Sequence, residues 1–379
     1  MACAVVGLLG LLLSVVGGLG NAQGFFRAYL LAYTFWLGLG LGSLGVVFVQ
    51  FLTGGVWGLV TRRVFEAGAA TLPLLAVLFL PLLLGLPQLY VWARPEAVAA
   101  DAVLQHKAIY LNGPFFVSRS LVYLLAWVIL AVLLRRWSVA QDQTDDPAAL
   151  KRLQRLSIVG ALVLALTASF AAIDWLMSLD AAWFSTMYPP LVAMSDLLLA
   201  LAFGIVVVIR LAPRSPLDEV LTPQVCNDLG SLLLAFLMLW AYLAFFQYLL
   251  IWAGNLSDEI PWYLRRIDGG WLPVAVTLAV VGFAVPFYLL LFRPLKRNRR
   301  SLAAIAWLLI AMRLLDVVWL VVPPFEPAGP LVSWLDVAAL VGVGGLWLAV
   351  FGWQLGARPL LSPNDPRLRP VLEAASEAV

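Results

Sequence analysis

Runs of about 20 consecutive apolar residues recur along this chain, and they constrain its fold more than any other feature. We place ten of them, at 3–20, 28–53, 66–90, 115–136, 153–179, 187–210, 228–254, 270–293, 301–322 and 332–355. In lipid every backbone N–H and C=O must pair within the protein, and runs of this length do so as helices rather than barrel strands. Composition agrees: 63% of the 379 residues are hydrophobic and 12% are charged, about half the charge of a soluble domain. The expected class is an all-α integral membrane protein with about ten transmembrane helices, a single polytopic domain over 1–379. The first run has no basic flank and no clear cleavage site after it, so it reads as a retained helix.

Lys and Arg divide unequally between the two sets of loops. Six fall on one side (Arg27, Arg94, Lys107, Arg119, Arg265, Arg266), Arg313 lies within a helix, and the remaining seventeen of the 24 fall on the other side. The excess of positive charge predicts that the second side, with both termini and a tail at 356–379, faces the cytoplasm of a bacterial inner membrane. The tail beyond Leu361 is polar and proline-rich, and is expected to lie on the surface or on a partner. On the opposite side, the loop 91–114 is long and mixed in charge. Residues 255–269 combine Trp262 and Tyr263 with Arg265 and Arg266, which suits a short helix at headgroup level.

An ionisable side chain inside the bilayer costs several kcal/mol and needs a partner or a task. Arg119, Asp174, Asp196, Arg313, Asp316 and Asp336 are such residues; Glu66 and Asp228 sit at cytoplasmic helix ends, where an acid complements the helix dipole. Arg313 and Asp316 are three apart on one helix face and can pair. Arg119 opens the fourth helix and can answer Asp174. Asp336 follows Ser333 and reads equally as an N-terminal cap. Asp196 stands alone near the midplane. Asp174-Trp175 and Asp316 with Trp319 place an acid and a Trp near the outer ends of helices four apart. That hints at two parallel-related four-helix bundles, helices 2–5 (28–179) and 6–9 (187–322), with helices 1 and 10 peripheral.

One histidine, His106, and two distant cysteines, Cys3 and Cys226, are too few to ligate a bis-histidine haem or an iron–sulfur cluster. This chain is expected to bind no redox cofactor of its own.

Four strings, HKAIYLN (106–112), AIDWLMSLDAAWFSTM (172–187), the stretch from Asp228 to Arg266, and RLLDVVWLVVP (313–323), resemble the NrfD/PsrC-like membrane subunits, and among them the ActF type of bacterial alternative complex III. The resemblance runs from about residue 25 to residue 368. It implies a complex that oxidises menaquinol or ubiquinol and passes electrons to cytochrome c or to a terminal oxidase. The implied partners are the ActA, ActB, ActC, ActD and ActE types, with haem c and iron–sulfur clusters in the partner subunits, together with membrane lipid and no nucleic acid. It also implies ten helices and two four-helix bundles.

Three functions follow for weighing. The first is a non-redox subunit, not catalytic alone, giving scaffold and a proton path. Its outer half would use Asp174, Asp316 and Asp336 with Arg119 and Arg313, and its inner half Asp196 with Glu66 or Asp228. The second is a quinone site in this chain at His106 and Asp174. The third is a free-standing secondary transporter, for which Pro286 and the glycines of helix 2 could mark broken helices, although the repeat hinted at is parallel rather than inverted.

Overall fold

The computed structural model describes residues 2–143, 147–215, 217–362 and 364–368. All regular structure among them is helical. The body consists of α1 (Ala2–Gly18), α2 (Ala22–Thr53), α3 (Val56–Leu84), α4 (Gly113–Gln143), α5 (Ala148–Asp180), α6 (Tyr188–Leu211), α7 (Pro223–Gly254), α8 (Gly269–Leu291), α9 (Arg299–Val321) and α10 (Trp334–Gly356). Among the described residues, nine are long and apolar enough to cross a membrane, and α1, with 17 residues, is shorter. The chain is an all-α, multi-pass integral membrane protein of about ten helices.

Helix α2 packs on α3 and α5, and α4 packs on the same two. Helix α6 packs on α7 and α9, and α8 packs on both of these. The α2–α6 contact joins the two groups. Helix α10 lies against α2, where the Trp36 indole donates to the Leu340 carbonyl at 3.0 Å, and carries α1 on its other side. The α1–α10 crossing is backbone to backbone. A Cβ at Gly345 would lie 2.5 Å from Gly7 Cα, and one at Gly342 2.7 Å from Leu11 N. Small residues permit this approach, which apolar packing in lipid requires. Of α1 only Gly7, Gly10 and Ser14 are buried.

Several boundaries differ from the apolar runs. Helix α3 begins at Val56 rather than at residue 66, so Arg62 and Arg63, expected in a loop, are helical and buried. Helix α2 begins at Ala22 and takes in Arg27, which is also buried. Hydropathy windows stop at such charges; the structure continues through them because each finds a counter-ion. Two helices are interrupted. In α3, Pro73 and Pro81 each start a new short helical segment. In α8, a π-turn at Val280–Ala284 precedes Pro286, which cannot donate to the ladder. The two interrupted helices stand at different places in their groups, second in one and third in the other. A transporter built on matched broken helices would place them at corresponding positions.

Candidate functional site

The ionisable residues gather into four clusters. The first joins α4 to α5. Asp174, wholly buried, accepts from Arg119 Nε at 2.8 Å and Nη2 at 2.9 Å, and from the Tyr123 hydroxyl at 2.8 Å. Arg119 also donates to the Tyr110 carbonyl at 3.0 Å. Its guanidinium lies 3.9 Å from the Tyr110 ring centroid and 4.1 Å from that of Phe115. A bidentate fork with a third donor satisfies the carboxylate. The pairing expected of Arg119 and Asp174 is present. His106 does not join it: it is exposed at the end of the short helix Ala102–Lys107. The neighbouring Lys107, whose amine burial holds below its ordinary pKa, donates to the Ala181 carbonyl at 2.6 Å.

The second cluster lies on the same side. Asp336 closes a capping box with Ser333 and also receives Arg27 at 3.0 Å, while Arg27 reaches Glu326 at 2.9 Å. The cap reading of Asp336 is thus realised together with an ion pair. Nearby, the predicted short helix of the 255–269 loop runs from Ile260 to Ile267. Its Arg266 is buried and donates to the Trp319, Trp262 and Leu320 carbonyls. Burial pushes this guanidinium down to about 10 against the opposing charge of Asp180, so it remains protonated at neutral pH. Arg265 pairs with Asp180 at 2.5 Å, and Trp262 stacks on Trp183 with centroids 4.7 Å apart. The Ile260–Ile267 helix thus ties Asp180, at the end of α5, to α9.

The third cluster is at the opposite end of α3. Glu66 accepts from Arg62 and Arg63, each at 2.7 Å, and from Ser138 of α4. Arg63 also pairs with Asp142. The chain beyond α10 folds back here: Ser362 donates to Asp142 at 2.6 Å, and Asp365 pairs with Arg62 at 3.1 Å. Burial alone would raise the Asp365 carboxyl, but hydrogen bonds and charge from Arg367, with the charge of Arg62, hold it below the ordinary 3.8. Of the predicted tail at 356–379, residue 363 and residues 369–379 lie outside the described residues; Leu361 and Leu368 are buried against the chain's own helices. Asp228 is apart from this network and accepts from Gln224 at 2.9 Å within α7.

The fourth cluster is at the centre. Arg313 and Asp316 pair at 3.2 Å, as their spacing predicts, and Ser195 of α6 donates to Asp316 at 2.8 Å. Arg313 is completely buried with its guanidinium 3.7 Å from the Trp240 ring centroid, and its Nε and Nη2 have no hydrogen-bond partner among the described residues. Asp196 follows Ser195 on α6, about 100° round the helix, and is turned toward α2. It abuts Gly38 of α2, where a Cβ would lie 2.5 Å from its Oδ1. It borders a cavity of about 30 Å³ shared with Trp127 and Trp175, and forms no ion pair among the described residues. Successive residues of α6 thus touch both helix groups. Sequence reasoning singled out Asp196 and Asp316 and missed Ser195, because a serine in an apolar run attracts no attention until its neighbour's position is known.

No family model matches this chain, and no curated protein does. Fold and site therefore define its class alone: a multi-pass helical membrane protein with a buried polar centre.

Proposed function

We propose that this chain is the non-redox, ActF-type membrane subunit of a quinol-oxidising electron-transfer complex, in a bacterial cytoplasmic membrane with both termini cytoplasmic. It would give the complex a scaffold and a proton path. The observation that carries the reading is the central cluster. A midplane acid without an ion pair, Asp196, adjoins Ser195, which bonds to the less fully paired acid Asp316. Buried acids that can change protonation are what a relay requires. Asp174, Glu66 and Asp336 are held by arginines and serve the path as fixed charge. The locked outer loops and the tail folded onto α3 and α4 suit a scaffold that must present a fixed face to partners.

Replacing Asp196 with Asn keeps the shape and removes the exchangeable charge. We expect Asp196→Asn to assemble normally and to lower proton-coupled quinol turnover of the complex in proteoliposomes. Acidification and turnover equal to wild type would make Asp196 structural and remove the relay.

A further inference from the structure

Where α3 meets α4 and α10, beside the Glu66 network, lies a pit of about 10 Å³, room for one oxygen atom the size of a water. Its apolar wall is made of small residues, Ala67, Ala70 and Ala131 among them, and its polar wall includes Arg135, Arg358 and Gln354. The acid of the pit, Glu66, is already neutralised, because its two oxygens meet Arg62 and Arg63 at 2.7 Å each. Arg358 reaches Glu66 only at 3.6 Å. Arg135, exposed on α4, has no ion pair or hydrogen bond among the described residues. Across the network five arginines, Arg62, Arg63, Arg135, Arg358 and Arg367, stand against the three acids Glu66, Asp142 and Asp365. Two positive charges are left over, and they are the two that line the pit without a close partner. Burial holds the Arg358 guanidinium below its ordinary value, and the charges of Arg63 and Arg135 add to this against the pull of Glu66 and Asp142. Gln354 is 8% exposed, and its amide has no hydrogen-bond partner among the described residues.

Charge and depth select the occupant. Two unpaired guanidiniums and a free amide are donors only to an anion with several oxygens, and a phosphate fits that description. The depth follows from the sequence. The apolar runs 66–90, 115–136 and 332–355, which belong to α3, α4 and α10, begin or end at this level, and Glu66, Arg135 and Leu355 all line the pit. The pit therefore sits where hydrocarbon gives way to headgroups, a basic recess between helices of the kind that anionic headgroups fill. A soluble anion or an acidic peptide would have to enter the headgroup layer to reach it. A zwitterionic lipid brings an ammonium that the second arginine repels. We propose that this pit seats the headgroup of an anionic glycerophospholipid, one phosphate oxygen entering beside Arg135 and Arg358 while Gln354 donates to a second oxygen. The acyl chains continue along α3 over Val77 and Leu80, which are exposed. The site rests on the membrane fold alone, and it stands whether or not Asp196 carries protons.

The test uses the full chain in detergent with three probes, phosphatidylglycerol, phosphatidylcholine and inorganic phosphate, and reads lipid retention by native mass spectrometry together with the melting temperature. Wild type should retain phosphatidylglycerol saturably, in preference to phosphatidylcholine, and melt higher with it. Arg135→Gln removes an exposed, unpaired charge, so the lipid-free chain should melt as wild type does while affinity for phosphatidylglycerol falls about tenfold, as loss of one charge-assisted hydrogen bond predicts. Gln354→Leu removes an unpartnered amide at nearly constant volume; its lipid-free melting temperature should hold or rise while affinity falls about fivefold. Arg300→Gln removes an equally exposed charge at the start of α9 and should leave retention unchanged. Equal retention of the two lipids overturns the proposal, as does wild-type affinity in both pit variants. An equal loss in Arg300→Gln overturns it by showing general surface attraction. An equal rise in melting temperature with inorganic phosphate assigns the pit to a soluble anion, and displacement of the lipid by an equimolar acidic peptide assigns it to a protein partner; either result overturns the lipid.

Discussion

Asp174 and Asp316 are both buried aspartates beside an arginine and a tryptophan, and the chain treats them in opposite ways. Around Asp174 both carboxylate oxygens accept, three bonds in all from a two-pronged arginine and a tyrosine hydroxyl, and aromatic faces flank the guanidinium. Around Asp316 the arginine makes one contact of 3.2 Å, leaves two nitrogens unpartnered, and a cavity opens alongside. A saturated pair fixes two helices and holds its charges constant. An unsaturated one keeps free energy available for a ligand or a proton. Residue type alone does not separate structure from function here; the completeness of the hydrogen bonding does.

The largest effect should come from the closed pair. Arg119→Ala leaves a completely buried carboxylate without its counter-ion and with the Tyr123 hydroxyl alone, and we expect a loss of about 3–5 kcal/mol, read as a large fall in melting temperature or no folded protein. Arg119→Lys should rescue little, because an ammonium cannot supply the fork. Arg313→Ala should cost less, about 1–3 kcal/mol, because Arg313 makes one contact of 3.2 Å with Asp316 where Arg119 makes two shorter ones, and Asp316 borders the cavity. If the two alanine variants melt alike, or Arg313→Ala is the worse, the contrast between the clusters is false. The smallest effect concerns the network of Glu66, Arg62 and Asp365. Asp365 is held below its ordinary value, so its contribution is complete above that value and is lost as pH falls through the lower folded one. The segment 364–368 should stay protected from an acid-active protease above pH 3.8 and become cleavable only at more acid pH. Release near neutral pH would show that Arg62 and Arg367 do not hold it.

Much of this was legible before any coordinates. Apolar runs gave the helices because lipid leaves the backbone no other solution. The Arg313–Asp316 pair followed from spacing on one helix, and the Ser333 cap of Asp336 from local pattern. Arg119 with Asp174 was reachable because both end adjacent helices on one side. What was not legible depends on how distant helices meet. Nothing local in Arg27 announces Asp336, or in Arg62 announces Asp365. Their charges instead misled the hydropathy windows at the starts of α2 and α3. The cavity beside Asp316 was invisible for the same reason.

The glycine contact between α1 and α10 has a consequence in time. The ribosome delivers α1 well before α10, which carries the glycines that seat it. While α2 to α9 are made, α1 waits in lipid with Gly7 and Gly10 uncovered, free to meet other small-faced helices. The arrival of Gly342 and Gly345 ends that wait, so this contact can form only after α2 to α9 have been made.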